Sequence, residues 1–177
     1  TDGTYSIMLD IGANADCKPE MLAQWAVLGS AYAAATRGIE SPRVGLLNIG
    51  EESEKGNLLT KATHVLLSQT QGINFVGNVE GRDIFGDHAD VVVCDGFSGN
   101  VIIKLCEGIY YRLVKRGVQD DYLDQFNFKH YGGSVVLGVN APVIVGHGIT
   151  KAETFLKMIE LAQETVQSQL TNKIQKA

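Results

Sequence analysis

The sequence predicts an α/β protein: a mostly parallel sheet with helices on both faces. Two observations predict it. Short aliphatic runs alternate with amphipathic stretches long enough to serve as crossovers, the pattern of a parallel sheet covered by helices. One of those runs, Val91-Val92-Val93-Cys94, is apolar on both sides and ends at Asp95-Gly96, as an interior parallel strand does.

Taken in order, Tyr5 to Asp10 reads as a strand, and Ile11-Gly12-Ala13-Asn14-Ala15-Asp16 as the turn after it. Pro19 suits the first turn of a helix that continues from Glu20 to about Arg37. Met21, Trp25, Leu28 and Tyr32 recur at helical spacing, and Ala26, Gly29, Ala33 and Ala34 form a small-residue face suited to a sheet. Gly38 closes the helix. Val44 to Ile49 is a second strand, and the polar loop Gly50 to Asn57 leads to a helix from about Leu58 to Ser68, with Leu59, Ala62, Val65 and Leu66 on one face. Gly72 breaks it before a third strand, Ile73 to Val76. Asn78 to Phe85 is a polar loop with room for one helical turn, and Ala89 to Cys94 is the fourth strand.

A helix is predicted from Asn100 to about Arg116, ended by Gly117, and a short one between Asp120 and Phe126. Ser134 to Val139 reads as a strand or an extended turn, and Val143-Ile144-Val145 as a strand running into Gly146-His147-Gly148. Thr150-Lys151-Ala152-Glu153 has the form of a capping box. The last helix then runs from Lys151 to about Asn172, with Phe155, Ile159, Ala162 and Val166 as its buried stripe.

At 177 residues the chain suits one sizeable core, read as a single α/β domain. Apolar residues at 45% and charged ones at 20% are ordinary for a globular protein. A net charge of −5 without a Lys/Arg cluster argues against nucleic acid as a partner. No run approaches the length of a membrane span, and Thr1-Asp2-Gly3-Thr4 carries no signal-peptide pattern. Cys17, Cys94 and Cys106 fit a reducing cytoplasm as small apolar residues. No His/Cys/Asp/Glu set has metal spacing, and no cofactor motif of the Gly-x-Gly-x-x-Gly kind follows a strand.

In parallel sheets ligands sit at the carboxyl ends of the strands. The polar residues gather there in sequence: Asp10, Asn14, Asp16 and Lys18; Asn48, Glu51, Glu52, Lys55 and Asn57; Asn78, Glu80, Arg82 and Asp83; Asp95, Ser98 and Asn100, with Lys104 a turn later. His147 between two glycines follows the last strand. Gly96 and Gly99 allow a backbone to approach a ligand closely, and a helix opening near Asn100 aims free N–H groups at the turn, a geometry suited to phosphate. Each feature also has a plainer reading. Asp-Gly-x-x-Gly serves equally as a tight β–α turn, Asp10 and Asp95 as helix caps, and the glutamates as a solvated loop. His64, His88 and His130 read as surface or packing residues.

Laid side by side, six stretches carry a resemblance: Leu9 to Glu20, Pro42 to Glu52 with Lys55-Gly56-Asn57, Gly77 to Asp83, Cys94 to Val101, Tyr131-Gly132-Gly133 and Gly146-His147-Gly148. In this order they resemble the phosphate acyltransferase family of fatty acid and phospholipid synthesis. The resemblance implies a fold similar to the isocitrate/isopropylmalate dehydrogenases. It also implies transfer of a long acyl chain from acyl carrier protein to inorganic phosphate, with no cofactor. A homodimer in the cytoplasm, in peripheral contact with the membrane, is implied as well.

Such a reaction passes through a tetrahedral oxyanion and needs a bound phosphate and donors for the developing charge. Gly12, Gly96 and Gly99, with Lys55, Lys104 or Arg82, are the candidates for phosphate. Asn14, Asn78, Asn100 or His147 are the candidates to donate to the thioester oxygen, and His147 alternatively to protonate the leaving thiolate. Asp16, Asn48, Glu80, Asp95 and Ser98 complete the substrate loops. Family members are much longer, so the chain looks like a carboxy-terminal portion. Asn100 to Gly133 leaves room for only a short version of the helical hairpin that many relatives carry there. The alternatives are a phosphotransacetylase-like enzyme using coenzyme A, and a non-catalytic module that binds phosphate or carrier protein.

Overall fold

The computed structural model describes residues 6–127, 130–146 and 151–175. They pack as two compact units, residues 6–100 and 101–175.

The first unit is built on four parallel strands, β1 (Ile7–Leu9), β2 (Arg43–Leu47), β3 (Asn74–Val79) and β4 (Val91–Val93), in the order β1-β4-β2-β3. The valine run is interior, as its composition requires, and all three valines are buried. Helix α1 (Pro19–Arg37) links β1 to β2, and α2 (Leu58–Gln69) links β2 to β3. Both connections step the same way along the sheet, and right-handed crossovers that do so place their helices on one side. Accordingly Leu22, Ala26 and Ala33 of α1 and Leu67 of α2 share a single apolar cluster with Val44, Leu46, Val91 and Val93. On the opposite face Val79, Ala89 and Val92 form a smaller one with Leu47. The expected helices on both faces are therefore met, within this unit, on one face only. The return from β3 to β4 uses no α-helix, only a 3-10 turn at Gly81–Phe85 closed by a reciprocal Glu80–Asp83 capping box.

The helices bury faces that hydrophobicity alone does not mark. In α1 the small-residue side is buried, as expected for Ala26, Gly29 and Ala33, but Leu22 joins it and Ala34 is exposed. In α2 the expected face is rotated: Ala62 and Val65 are exposed, and Thr63 and Leu67 are buried. Burial of Thr63 is inexpensive because its hydroxyl donates to the Leu59 carbonyl at 2.8 Å.

In the second unit, α4 (Asp121–Asp124) is capped by Asp120, whose carboxylate accepts from Leu123 N at 3.0 Å. Strands β5 (Gly133–Val135) and β6 (Ile144–Gly146) form an antiparallel pair separate from the parallel sheet. The last helical stretch is two helices, α5 (Ala152–Gln167) and α6 (Leu170–Ile174), divided where Gln169 takes a left-handed φ of 53°. The expected buried stripe of α5 faces outward, with Phe155 56%, Ile159 53% and Val166 61% exposed. Thr154 and Thr165 are buried instead, the latter with its hydroxyl on the Leu161 carbonyl. Lys151 is the residue that precedes α5, without a side-chain cap bond. Thr150, His147, Gly148 and the segment Thr1 to Tyr5, all singled out in the sequence, lie outside the described residues. No helix among the described residues is long and apolar enough to cross a membrane.

At the amino ends of the strands Asp90 ties β4 to β2. Its carboxylate accepts from Arg43 N at 2.7 Å and from the Arg43 guanidinium at 3.0 and 3.1 Å. The guanidinium bond, aided by the backbone bond against the cost of burial, holds the Asp90 carboxyl below the usual carboxylate range. A depressed carboxyl pKa stabilises the fold above the ordinary carboxylate pKa, and that contribution is lost as pH falls through the depressed value. Replacing Asp90 with Ala is expected to cost about 2 kcal/mol at pH 7, a figure kept low because Arg43 is partly solvated. In urea titrations the gap between wild type and variant should close as pH falls through the Asp90 pKa.

Candidate functional site

The chain leaves the parallel strands at Asp10, Asn48, Glu80 and Cys94-Asp95, so the loops that follow β1, β2, β3 and β4 open on one edge of the first unit. In a parallel sheet this is the edge that receives a ligand.

At the mouth of β1 and β4 the chain's own carboxylates occupy its backbone donors. Asp10 accepts from the N–H groups of Gly12, Ala13 and Asn14 at 2.8 Å each, and from Asn14 Nδ2 at 2.9 Å. Burial pushes the Asp10 carboxyl up, but these bonds outweigh it and hold it below its ordinary value. Asp16 stands exposed in the same loop.

Helix α3 (Gly96–Lys115) begins four residues earlier than the sequence suggested. Asn100 therefore lies a turn inside it, and the Gly96–Gly99 segment is helix rather than turn. The cause is Asp95, which accepts from Ser98 N and from the Ser98 hydroxyl, both at 2.8 Å, and so caps the new first turn. Gly96 N donates to the Asn14 carbonyl at 2.9 Å. The amides expected to be free for an anion are engaged within the protein.

The glycines of this mouth answer to the same contact. A Cβ on Gly99 would overlap the Asp10 carbonyl, one on Gly96 would stand 2.5 Å from the Asn14 carbonyl, and one on Gly12 would stand 2.8 Å from Asn100 Nδ2. Asn100 Nδ2 makes only a long bond, 3.3 Å, to the Ile11 carbonyl. Cys94 lies beneath; burial, with Asp95 and Asp10 nearby, pushes its thiol up to about 12, so it is no nucleophile at neutral pH.

The mouth of β2 and β3 is organised differently, around Lys55. Its carbonyl accepts from Asn48 Nδ2 at 3.1 Å, and its N–H donates to the Glu52 carbonyl at 3.1 Å. That carbonyl also accepts from Asn78 Nδ2 at 2.8 Å. Asn48, just after β2, and Asn78, near the end of β3, are both buried, and their amides grip the loop main chain. Gly56, at φ +97°, permits the approach, since a Cβ there would meet Asn48 Oδ1 and Thr60 Oγ1. Asn57 then caps α2 by accepting from Thr60 N at 2.9 Å.

The Lys55 side chain is exposed and has no ion-pair partner among the described residues. Arg82 differs. It stands 2.8 Å from Glu80, 3.4 Å from Glu51 and 3.8 Å from Asp83, so carboxylates already surround it. The hollow beside it, about 330 Å³, is lined by Glu51, Asn78, Asp83 and His88 among others, an acidic wall that disfavours an unaccompanied anion.

Two further candidates remain. Lys104 belongs to the second unit, where its Nζ lies 2.8 Å from Glu107. His147 lies outside the described residues. Sequence reasoning missed one participant: His64, expected as a surface or packing residue, bonds Asn78 Oδ1 through Nδ1 at 3.0 Å. No local pattern marks a contact between a helix and a strand 14 positions apart. Among the described residues no group of three or more His, Cys, Asp or Glu is placed to hold a metal ion.

Comparison with known proteins adds an independent finding. The family described as "Fatty acid synthesis protein" matches residues 1–120. The phosphate acyltransferase of Syntrophomonas wolfei is 45% identical over 92% of this chain and 52% of its own length. That of Bacillus subtilis is 42% identical over 98% of this chain and 58% of its own length. The chain thus spans about half the length of the curated relatives it matches.

If the glycines of the β1/β4 mouth serve the contact between loop and helix, Gly99→Ala should lower stability by about 2–3 kcal/mol. Gly81→Ala, whose added Cβ meets nothing within 4 Å, should stay close to wild type. Denaturant melts of the two variants measure the difference.

Proposed function

The chain belongs to the fatty acid synthesis protein family, and we propose that it is part of an enzyme moving a long acyl group from acyl carrier protein to inorganic phosphate. The product is acyl phosphate, a donor for phospholipid synthesis. The observation that carries this reading is an identity to phosphate acyltransferases that extends over nearly the whole chain. On this reading the chain is the carboxy-terminal portion of a larger α/β enzyme with a fold similar to the isocitrate/isopropylmalate dehydrogenases.

Phosphate is itself the nucleophile, so no enzyme nucleophile is needed, in keeping with a protonated Cys94. The enzyme's tasks are to hold the phosphate, align it with the thioester and stabilise the tetrahedral oxyanion. Lys55 is the residue we assign to phosphate, because it is exposed, has no ion-pair partner among the described residues and belongs to a loop whose backbone is fixed. The acidic surroundings mean that further positive charge comes from elsewhere in the enzyme. Asn100, with its amide only loosely engaged, is the candidate donor to the thioester oxygen, and His147 the candidate acid for the leaving thiolate. Asp10, Asp95, Asn48 and Asn78 act as scaffold. A homodimer in the cytoplasm with peripheral membrane contact belongs to the same reading, supported by the exposed apolar stripe of α5.

The test is to incubate the whole enzyme with phosphate and either palmitoyl-acyl carrier protein or acetyl-coenzyme A. Palmitoyl phosphate is the expected product. Acetyl phosphate would instead indicate a coenzyme A enzyme, and no acyl phosphate a binding module. Lys55→Ala should raise KM for phosphate by about tenfold or more, the loss of one charge-assisted bond. Wild-type turnover at limiting phosphate would reject Lys55 as a ligand.

A further inference from the structure

We propose that His64 is a positioning residue for Lys55, acting through Asn78. The inference rests on the assignment of Lys55 to phosphate and extends it to a residue on α2 outside the strand-end loops.

The argument begins with the orientation of one amide. Asn78 faces the Glu52 carbonyl, and a carbonyl oxygen only accepts, so the Asn78 atom directed at it, 2.8 Å away, must be the NH₂ group. The other end, Oδ1, is then an acceptor, and His64 Nδ1 at 3.0 Å must carry the proton. His64 is thus held in the Nδ1–H form, with its ring set edge-on against Phe75 at a centroid distance of 5.2 Å.

The consequence passes along a short chain. With its NH₂ end directed at Glu52, Asn78 fixes the carbonyl that also receives Lys55 N–H. Asn48 fixes the Lys55 carbonyl from the other side. The lysine's main chain is therefore held at both of its polar groups, and one of those holds depends on His64. Remove the Nδ1 donor, and the buried Oδ1 of Asn78 loses its partner; the amide is then held at one end only, and its grip on the Glu52 carbonyl loosens.

Two substitutions separate the hydrogen bond from ring packing. His64→Phe keeps an aromatic ring beside Phe75 but has no donor. His64→Asn gives up the ring and places an NH₂ group near the position of Nδ1. In the whole enzyme, hydrogen exchange of the Lys55 amide should speed up about tenfold in His64→Phe and return toward wild type in His64→Asn. KM for phosphate should rise about tenfold in His64→Phe with kcat within about twofold, and recover in His64→Asn. Nitrogen NMR of the wild-type imidazole should report a proton on Nδ1.

Unchanged Lys55 exchange in His64→Phe, or a wild-type Nε2–H imidazole with bare Nδ1, would overturn the proposal. So would equal damage in both variants, the mark of lost packing. Faster Lys55 exchange with an unchanged phosphate KM would uphold the link from His64 to the loop and count against Lys55 as the phosphate ligand.

Discussion

Everything at the ligand edge depends on how the chain disposes of main-chain polar groups where strands give way to loops. Such groups need partners when buried, and here buried or half-buried side chains supply them. Asp10 takes three successive N–H groups, Asp95 caps the first turn of α3, and Asn48 and Asn78 hold two points of the Lys55 loop. The loops are consequently defined before any ligand arrives. That order is what positional chemistry requires, since an aligned group is effective only if its geometry is set in advance.

The two mouths solve the problem with opposite chemistry. At β1 and β4, carboxylates grip amides, and the loop lies so close to the helix that only glycine fits at the contact. At β2 and β3, neutral amides grip carbonyls, leaving a lysine side chain free above a fixed backbone. The first mouth has its amides already bonded to Asp10 and Asp95, whereas Lys55 at the second has no ion-pair partner among the described residues. The N–H groups from Gly12 to Asn14, expected to face a phosphate, are bonded to the Asp10 carboxylate in this structure.

What was legible in the sequence was what local chemistry decides. The valine run announced the interior strand, and Pro19 and Gly38 bounded α1. The misread parts depend on partners distant in sequence. The buried sides of α2 and α5 carry Thr63, Thr154 and Thr165; Thr63 and Thr165 bond a carbonyl one turn back, so hydrophobic periodicity pointed to the wrong side. The start of α3 moved because Asp95 caps it, where two glycines had suggested a turn. Among the candidate residues, Asn48 and Asn78 hold the Lys55 and Glu52 carbonyls, contacts that no local sequence pattern marks.

The two asparagine tethers on the Lys55 loop both end on main-chain oxygens. A main chain is the same whatever residue it carries, so the side chains at positions 52 to 54 are interchangeable parts on a fixed bracket. Charge along this rim can therefore drift over evolutionary time, retuning which donors the rim tolerates, while the bracket stays in place. Only Gly56 and the two asparagines are denied that liberty, since they are the bracket.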